Sequence, residues 1–327
     1  MTTAAGTGSS VGARGTSART AARTVIALDV GGTSIKGGTL TEGATTLEHT
    51  DRWYTRADRG PEAVLETVLA CAEELAGRCP DADAAGIVVP GLVDEESGLA
   101  VLAGNLGWAD VPVQDWLAEH LCLPVAFGHD VRAGGLAEAR VGAGRGCADF
   151  LFVPVGTGIA AAAFRRGRAL TGGHGRAGEL GHVVVRPGGE RCRCGGRGCL
   201  ETVASAAAIA RRYVRATGWH GITAREVQRR ADAGDDVAAG IWTEAIEALA
   251  DALATAVTLY DPERVVVGGG LARAGEAYLA PLREALAHRL TFQAVPEVTE
   301  ARLGDRAGCM GAALLAHDLL EREVTGP

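Results

Sequence analysis

Residues 24–41, TVIALDVGGTSIKGGTLT, place an apolar run before a Gly-Gly-Thr turn and a second run after it, and another strand is predicted beyond Glu42-Gly43. Short strands broken by glycine turns read as an antiparallel meander. The same pattern returns at 150–164, FLFVPVGTGIAAAAF, where Gly156-Thr157 falls on Gly32-Thr33 and Ile159 on Ile35. Strand, Gly-Thr and strand in both halves of one chain predict a duplicated fold with a cleft between the copies.

Between and after these units, helices alternate with strands. Val64, Leu65, Val68, Leu69, Ala72 and Leu75 keep the spacing of one buried helix face from about Pro61 to Gly77. A buried strand (84–91), a helix (112–121), a strand (124–130) and a helix (131–141) follow. The C-terminal part predicts helices at 202–217 and 235–262, then RVVVGGGLA as a strand entering a glycine turn. A helix at 276–289, a short strand near 297–302 and a last helix after Asp305 complete an α/β pattern. A chain of 327 residues exceeds the ~250 to 300 at which single cores stop growing, so two domains are expected.

Composition narrows the function. With 47% hydrophobic and 22% charged residues the chain has the make-up of a soluble enzyme. Its net charge of -8 argues against nucleic acid or an anionic membrane as a partner. No apolar run reaches the ~18 residues of a membrane span, and the first 23 residues lack the apolar core of a signal peptide. That segment reads as a disordered tail, and the protein as cytoplasmic, with reduced thiols. Cys71, Cys79, Cys122, Cys147 and Cys309 read as core fillers.

Three glycine turns follow strands, where backbone N–H groups can gather around phosphate oxygens: Gly31-Gly32-Thr33, Gly156-Thr157-Gly158 and Gly268-Gly269-Gly270. None has P-loop or dinucleotide-fingerprint spacing, and each alone could be a tight turn requiring positive φ. Asp29 beside the first turn could hold Mg²⁺ or cap the turn. Lys36 is the sole lysine in the chain, a candidate phosphate partner or a solvated strand residue. Asp130 ends an apolar strand and opens a helix; it could be an N-cap, a base for a substrate hydroxyl, or both.

His182, Cys192, Cys194 and Cys199 form His-x9-Cys-x-Cys-x4-Cys. A reduced compartment and the tight Cys192–Cys194 spacing disfavour a disulfide, and redox pairs use C-x-x-C. Four soft or borderline donors suit a closed tetrahedral Zn²⁺ site, which leaves no position for water and makes the metal structural.

LDVGGTSIKGG, VGTGIAA, GELGH with CRCGGRGCLE, and VVVGGG together resemble the ROK family of sugar kinases and repressors, over about 24 to 320. The resemblance implies a two-domain actin-like (ribonuclease H-like) ATPase fold. The small N-terminal domain would be 24–128 joined by a C-terminal helix at 305–322; the large domain would be 129–304 with a zinc loop at 182–201. It also implies an ATP-dependent hexose kinase, with glucose the expected sugar and Mg²⁺ accompanying ATP. Asp29, Gly31, Gly32 and Thr33, then Gly156, Thr157 and Gly158, match its phosphate motifs, and Gly268, Gly269 and Gly270 the turn near the adenosine. Asn105, Asp130, Glu179, His182 and Glu201 match the sugar-binding positions, with Asp130 as base, and His182 with the three cysteines the zinc ligands. A homodimer or homotetramer is implied.

One departure stands out: the family's Asn-Asp pair reads His129-Asp130, which places a group able to titrate near neutrality beside the base. The competing expectations are an N-acetylglucosamine or N-acetylmannosamine kinase and a sugar-responsive repressor. The repressor is disfavoured because the first 23 residues lack helix-turn-helix periodicity. Polyphosphate as donor would use Arg165, Arg166 and Arg168, which otherwise read as a solvated turn.

Overall fold

A computed structural model describes residues 22–325. Of the tail expected over 1–23, residues 1–21 lie outside the described residues, while Arg23 donates from Nε and Nη2 to Glu42, both at 3.0 Å.

Strands β1 (Thr24–Val30), β2 (Ser34–Thr41) and β3 (Glu48–Tyr54) form the opening meander. After α1 (Pro61–Arg78), which has its proline in the first turn, β4 (Ala84–Val89) returns parallel to β1. Strands β5 (Leu92–Asp94), β6 (Leu99–Ala103) and β7 (Trp108–Val111) make a separate antiparallel sheet. Helix α2 (Val113–Leu121) leads to β8 (Val125–His129), parallel to β4, and directly into α3 (Asp130–Val141). The second half repeats the meander as β9 (Phe150–Pro154), β10 (Ala162–Arg165) and β11 (Arg168–Ala169). Four helices follow: α4 (Glu201–Ala204), α5 (Ala206–Thr217), α6 (Ala224–Asp232) and α7 (Asp236–Tyr260). Then come β12 (Arg264–Gly268), parallel to β9, α8 (Gly269–Ala272), α9 (Glu276–Ala287), β13 (Glu297–Glu300) and α10 (Ala307–Thr325).

The two five-stranded sheets run β3-β2-β1-β4-β8 and β11-β10-β9-β12-β13, with the same sequence of antiparallel and parallel neighbours. The period of two in each first strand explains how both faces are covered. Ile26, Leu28 and Val30 pack with α1, whereas Val25 and Ala27 pack with Ala133, Ala312 and Ala316 of α3 and α10. In the second sheet Leu151 and Val153 join the α7 core, whereas Phe150 and Phe152 turn to Ala307 and the α3 side. Helices α3 and α10 therefore lie between the sheets. Gly86 permits that approach: a Cβ there would meet the Ala312 carbonyl oxygen at 1.9 Å.

Several local expectations change. The helix expected at 202–217 breaks at Ser205, which is extended and accepts the Ala208 N–H, starting α5 afresh. Asp130 is the first residue of α3, and the cap position belongs to His129, without a side-chain cap. The helix expected at 276–289 ends at Ala287. The last helix begins at Ala307, after a 3-10 turn at Gly304–Arg306. Cys122 is not a core filler: it is exposed, in the left-handed conformation that ends α2. Arg165, Arg166 and Arg168 form the exposed turn from β10 to β11. The sheet β5-β6-β7 and helix α6 had no counterpart in the sequence reading.

Candidate active site

Asp130 sits where β8 passes into α3, with 29% of its side chain exposed. Its Oδ1 accepts the N–H of Val131 at 2.7 Å. Burial, and then the negative charge of Asp29, push its carboxyl up to about 7, against smaller opposing effects of the Val131 N–H, Lys36 and Arg132. A carboxyl so placed can exchange a proton near neutral pH. His129 beside it is buried, and burial followed by the charge of Arg132 pushes its ring down to about 3. The contact of His129 Nε2 with Asp130 Oδ1 at 3.5 Å is therefore between a neutral ring and the carboxyl. The expected titration of His129 near neutrality is overturned by desolvation.

Asp29, one residue before the end of β1, lies directly opposite Lys36 in the β1–β2 register, and Lys36 Nζ donates to Asp29 Oδ2 at 2.8 Å. The lysine that the sequence offered as a phosphate partner is thus engaged with a carboxylate. Asp29 in turn packs on α10, where a Cβ at Gly308 would lie 2.7 Å from its carboxyl carbon.

Gly31, Gly32, Gly156 and Gly158 have no positive φ, so although Gly31 N–H closes its turn on Ser34 and Gly156 N–H its turn on Gly158, left-handed backbone is not what calls for glycine there. A Cβ on Gly32 would come within 3.0 Å of Asn105 Cβ, which brings the β6–β7 turn onto the first glycine turn. A Cβ on Gly158 would come within 2.6 Å of Glu201 Oε2, and that same oxygen accepts the Ile159 N–H at 3.2 Å. Gly156 and Gly270 face open space, with nothing within 4 Å of a Cβ. Gly269 alone of the third turn has positive φ, +81°, and it lies against the Val155 carbonyl. The second and third turns thus sit side by side, and Thr157 lies between Gly156 and Gly158 in the second.

The cysteine loop folds back as a hairpin: Cys192 N–H donates to Gly196 at 2.9 Å and Gly195 N–H to Cys192 at 3.1 Å. It gathers His182, Cys192, Cys194 and Cys199, whose donor atoms lie within 4.8 Å of one another. Cys194 and Cys199 sulfurs are 3.7 Å apart, and Cys192 Sγ is 3.6 Å from His182 Nδ1. The other ring nitrogen, Nε2, faces Glu179 Oε2 at 3.8 Å. The cysteines are free thiols. The Gly196 N–H and the neighbouring thiols push Cys194 down, while burial pushes Cys199 up to about 12.

Two charged groups that carried no motif join this region. Glu95, in the acidic run after β5, accepts from the His129 N–H and from Arg132 Nε, both at 3.0 Å. The positions alone gave no signal, since an acidic turn and a helical arginine read as solvated.

The sequence model described as the ROK family matches residues 25–319. The chain is 36% identical to a glucokinase of Thermotoga maritima over 88% of this chain and 96% of that one. It is 34% identical to a glucokinase of Halalkalibacterium halodurans over 90% and 94%. Among solved structures, a ROK family glucokinase from Streptomyces griseus, in complex with glucose and AMPPNP, is similar with a TM-score of 0.80. That match has 30% identity and covers 90% of this chain and 99% of that one. Among the described residues no helix is long and apolar enough to cross a membrane.

Proposed function

We infer the function from one premise, that the chain belongs to the ROK family and has its actin-like α/β fold with a cleft. It is an ATP-dependent sugar kinase, and we assign glucose as the acceptor, on the strength of the glucokinases that match it over nearly their whole length. The observation that carries the chemistry is the placement of the Asp130 carboxyl at the β8–α3 junction, where burial and the charge of Asp29 push it up to about 7.

In this reading Asp130 accepts the proton of the sugar 6-hydroxyl as that oxygen bonds to the γ-phosphorus of ATP and the bond to the bridging oxygen breaks, leaving ADP. Asn105, Glu179, His182 Nε2 and Glu201 hold the remaining hydroxyls. The backbone N–H groups of Gly32, Thr33, Thr157 and Gly158 cradle phosphate oxygens, in space that Gly156 leaves open, while the Gly31 and Gly156 N–H groups close their turns on Ser34 and Gly158, and Gly268–Gly270 border the adenosine. Asp29 would hold Mg²⁺, directly or through water; the cation supplies neutralisation of the phosphate charge. Lys36 acts through Asp29, to which it is bonded.

The cysteine loop fits zinc. Zn–S bonds of ~2.3 Å and Zn–N bonds of ~2.0 to 2.1 Å in a tetrahedron require S···S of about 3.8 Å and S···N of about 3.5 Å. Two of the six donor separations are 3.7 Å (Cys194–Cys199) and 3.6 Å (Cys192–His182), and all lie within 4.8 Å. We assign His182 Nδ1, Cys192, Cys194 and Cys199 as the ligands of a structural zinc that fixes Glu179 and Glu201 at the two ends of the loop.

The test is a coupled ADP-release assay with ATP and Mg²⁺ against glucose, mannose, fructose, N-acetylglucosamine and N-acetylmannosamine. Glucose should show the highest kcat/KM. An N-acetylhexosamine in first place would reassign the sugar, and no turnover with any of them would sink the kinase reading.

A further inference from the structure

One buried cation outside the groups assigned above ties three segments together. Arg132, two residues after Asp130, is only 6% exposed. Its Nε donates to Glu95 Oε1 at 3.0 Å and its Nη1 to the Gly175 carbonyl at 3.2 Å. The same Glu95 oxygen accepts the His129 N–H at 3.0 Å. Glu95 follows β5, whose Val93 belongs to the core of the first sheet. Gly175 belongs to the loop that leaves β11 of the second sheet and runs into Glu179.

That loop has a defined shape. Ala177 N–H donates to the Thr171 carbonyl at 3.0 Å and closes its neck, and Gly175 N–H donates to Gly172 at 3.3 Å near its tip. At its far end Ala161 N–H donates to the Gly178 carbonyl at 2.7 Å, which pins Glu179 to the β9–β10 connection. The tip is seated on β5: Gly175 has φ +68°, and a Cβ there would lie 3.2 Å from the Val93 carbonyl oxygen. A cavity of about 600 Å³ separates the loop from β5 and β6, lined by Asp94, Glu96, Val101, His174 and Arg176. Outside its tip, then, the loop stands off the neighbouring strands.

A guanidinium this buried is stable only while its donors are engaged. Glu95 Oε1 serves Nε and Nη2, both at 3.0 Å, from the first-sheet side, and the Gly175 carbonyl serves Nη1 from the second-sheet side. We propose that Arg132 is a positioning residue, a latch that holds loop 171–177 of the second-sheet unit on β5 of the first and so sets Glu179 relative to Asp130. The proposal rests on the sugar-kinase reading, in which these two carboxyl groups grip the same sugar. Asp130 and Arg132 share the first turn of α3, and Glu179 lies four residues beyond Gly175. Releasing the latch leaves the base in place and frees the opposite side of the sugar site. Among the described residues, the hydrogen bonds of Arg132, Glu95 and Gly175 beyond those within α3 run to one another, to His129 and to Gly172, and none reaches the glycine turns of the ATP side.

Arg132→Lys retains the charge but cannot reach Glu95 and Gly175 in the same fork geometry. Glu95→Gln keeps an acceptor oxygen for the Arg132 donors but removes their counter-charge, so it loosens the same network by a different route and serves if Arg132 variants fail to fold. Both should raise the KM for glucose by about 10- to 100-fold, the effect of a misplaced binding group. The KM for ATP should stay within about 2-fold, and the fraction of ATP hydrolysed without sugar transfer should rise, because the sugar competes less well with water. Hydrogen exchange without substrates is the second readout: amides 172–178 should exchange faster while the β1, β4 and β9 amides keep their protection. An unchanged glucose KM with unchanged exchange at 172–178 would overturn the latch. So would an equal rise in both KM values with general loss of protection, which marks a merely structural role. Because the exchange experiment needs no turnover, a wild-type enzyme inactive on every sugar would fail the functional reading and still leave the latch decided.

Discussion

Glu201 Oε2 accepts a hydrogen bond from the Ile159 N–H at 3.2 Å, so the carboxylate that ends the cysteine loop is also a partner of the Gly156–Gly158 turn. One side chain thereby links the proposed sugar site to a turn proposed to hold nucleotide phosphates. Glu201→Gln keeps an oxygen for Ile159 but loses the charge offered to a sugar hydroxyl. It should raise the sugar KM about 10-fold, the scale of one weakened charged hydrogen bond, with the ATP KM nearly unchanged. Glu201→Ala should raise both. Initial rates with each substrate varied in turn decide it; identical behaviour of the two variants would separate Glu201 from the turn.

The pH profile should report Asp130. With its carboxyl at about 7, kcat/KM rises as pH passes through that value and the base becomes ionised. Asp29 raises this value and Lys36 lowers it, so Asp29→Asn should move the acid limb down and Lys36→Met should move it up. His129, pushed down to about 3, stays neutral throughout, so His129→Asn should leave a limb near neutrality. Asp130→Asn should lose about 10² to 10⁴ in kcat, the worth of a general base. If the limb vanished in His129→Asn and persisted in the Asp29 and Lys36 variants without shifting, the titrating group would be the histidine.

Linkage gives an independent check on the same residue. The folded value of Asp130 lies above its ordinary 3.8, so folding holds the proton. Stability from this group is complete below about 4 and is lost as pH rises towards 7. The rise from 3.8 to about 7 corresponds to about 4 kcal/mol, reduced to about 1 to 3 by partial exposure of the carboxyl. Asp130→Asn should therefore melt with wild type near pH 4 and a few degrees above it at pH 8. Melting curves that stay parallel across this range would place Asp130 in an environment like water.

Zinc removal should act on the sugar before the nucleotide. Purified protein should carry about one equivalent of zinc per chain. Chelation, or Cys199→Ser at the buried end of the loop, should lower Tm and raise the glucose KM more than the ATP KM, because Glu179 and Glu201 flank the loop. Full stability and an unchanged glucose KM in metal-free protein would remove the cation from the scheme.

The legible part of this molecule was the part written in local spacing. Two Gly-Thr hairpins announced the duplicated sheets, and His-x9-Cys-x-Cys-x4-Cys brought four donors within 4.8 Å. What escaped depends on contacts distant in the chain. Strands β5 to β7 have three to five residues each, too short for a clear alternation. Glu95 sits in an acidic run, and Arg132 stands on what reads as a solvated helix face; only the meeting of β5, α3 and the loop at Gly175 makes them partners. Lys36 was noticed for its rarity, but its cross-strand position opposite Asp29 gives its engagement.

The glycines supply the sharpest contrast between folding and binding. Gly269 has φ +81°, and a Cβ would lie 2.4 Å from the Val155 carbonyl oxygen, so Gly269→Ala strains the backbone and collides with an atom that cannot move aside. It should cost about 1 to 3 kcal/mol, seen as a lower Tm with or without ligand. Gly156 has no positive φ and nothing within 4 Å of a Cβ. Gly156→Ala should therefore fold with a Tm close to wild type while its methyl group fills space assigned to a phosphate oxygen. The ATP KM should rise by about 10-fold or more, the glucose KM should change little, and ATP should stabilise the variant less than it stabilises wild type. A Gly156→Ala enzyme with normal ATP affinity would show that the open space beside the second turn is not where the phosphates lie.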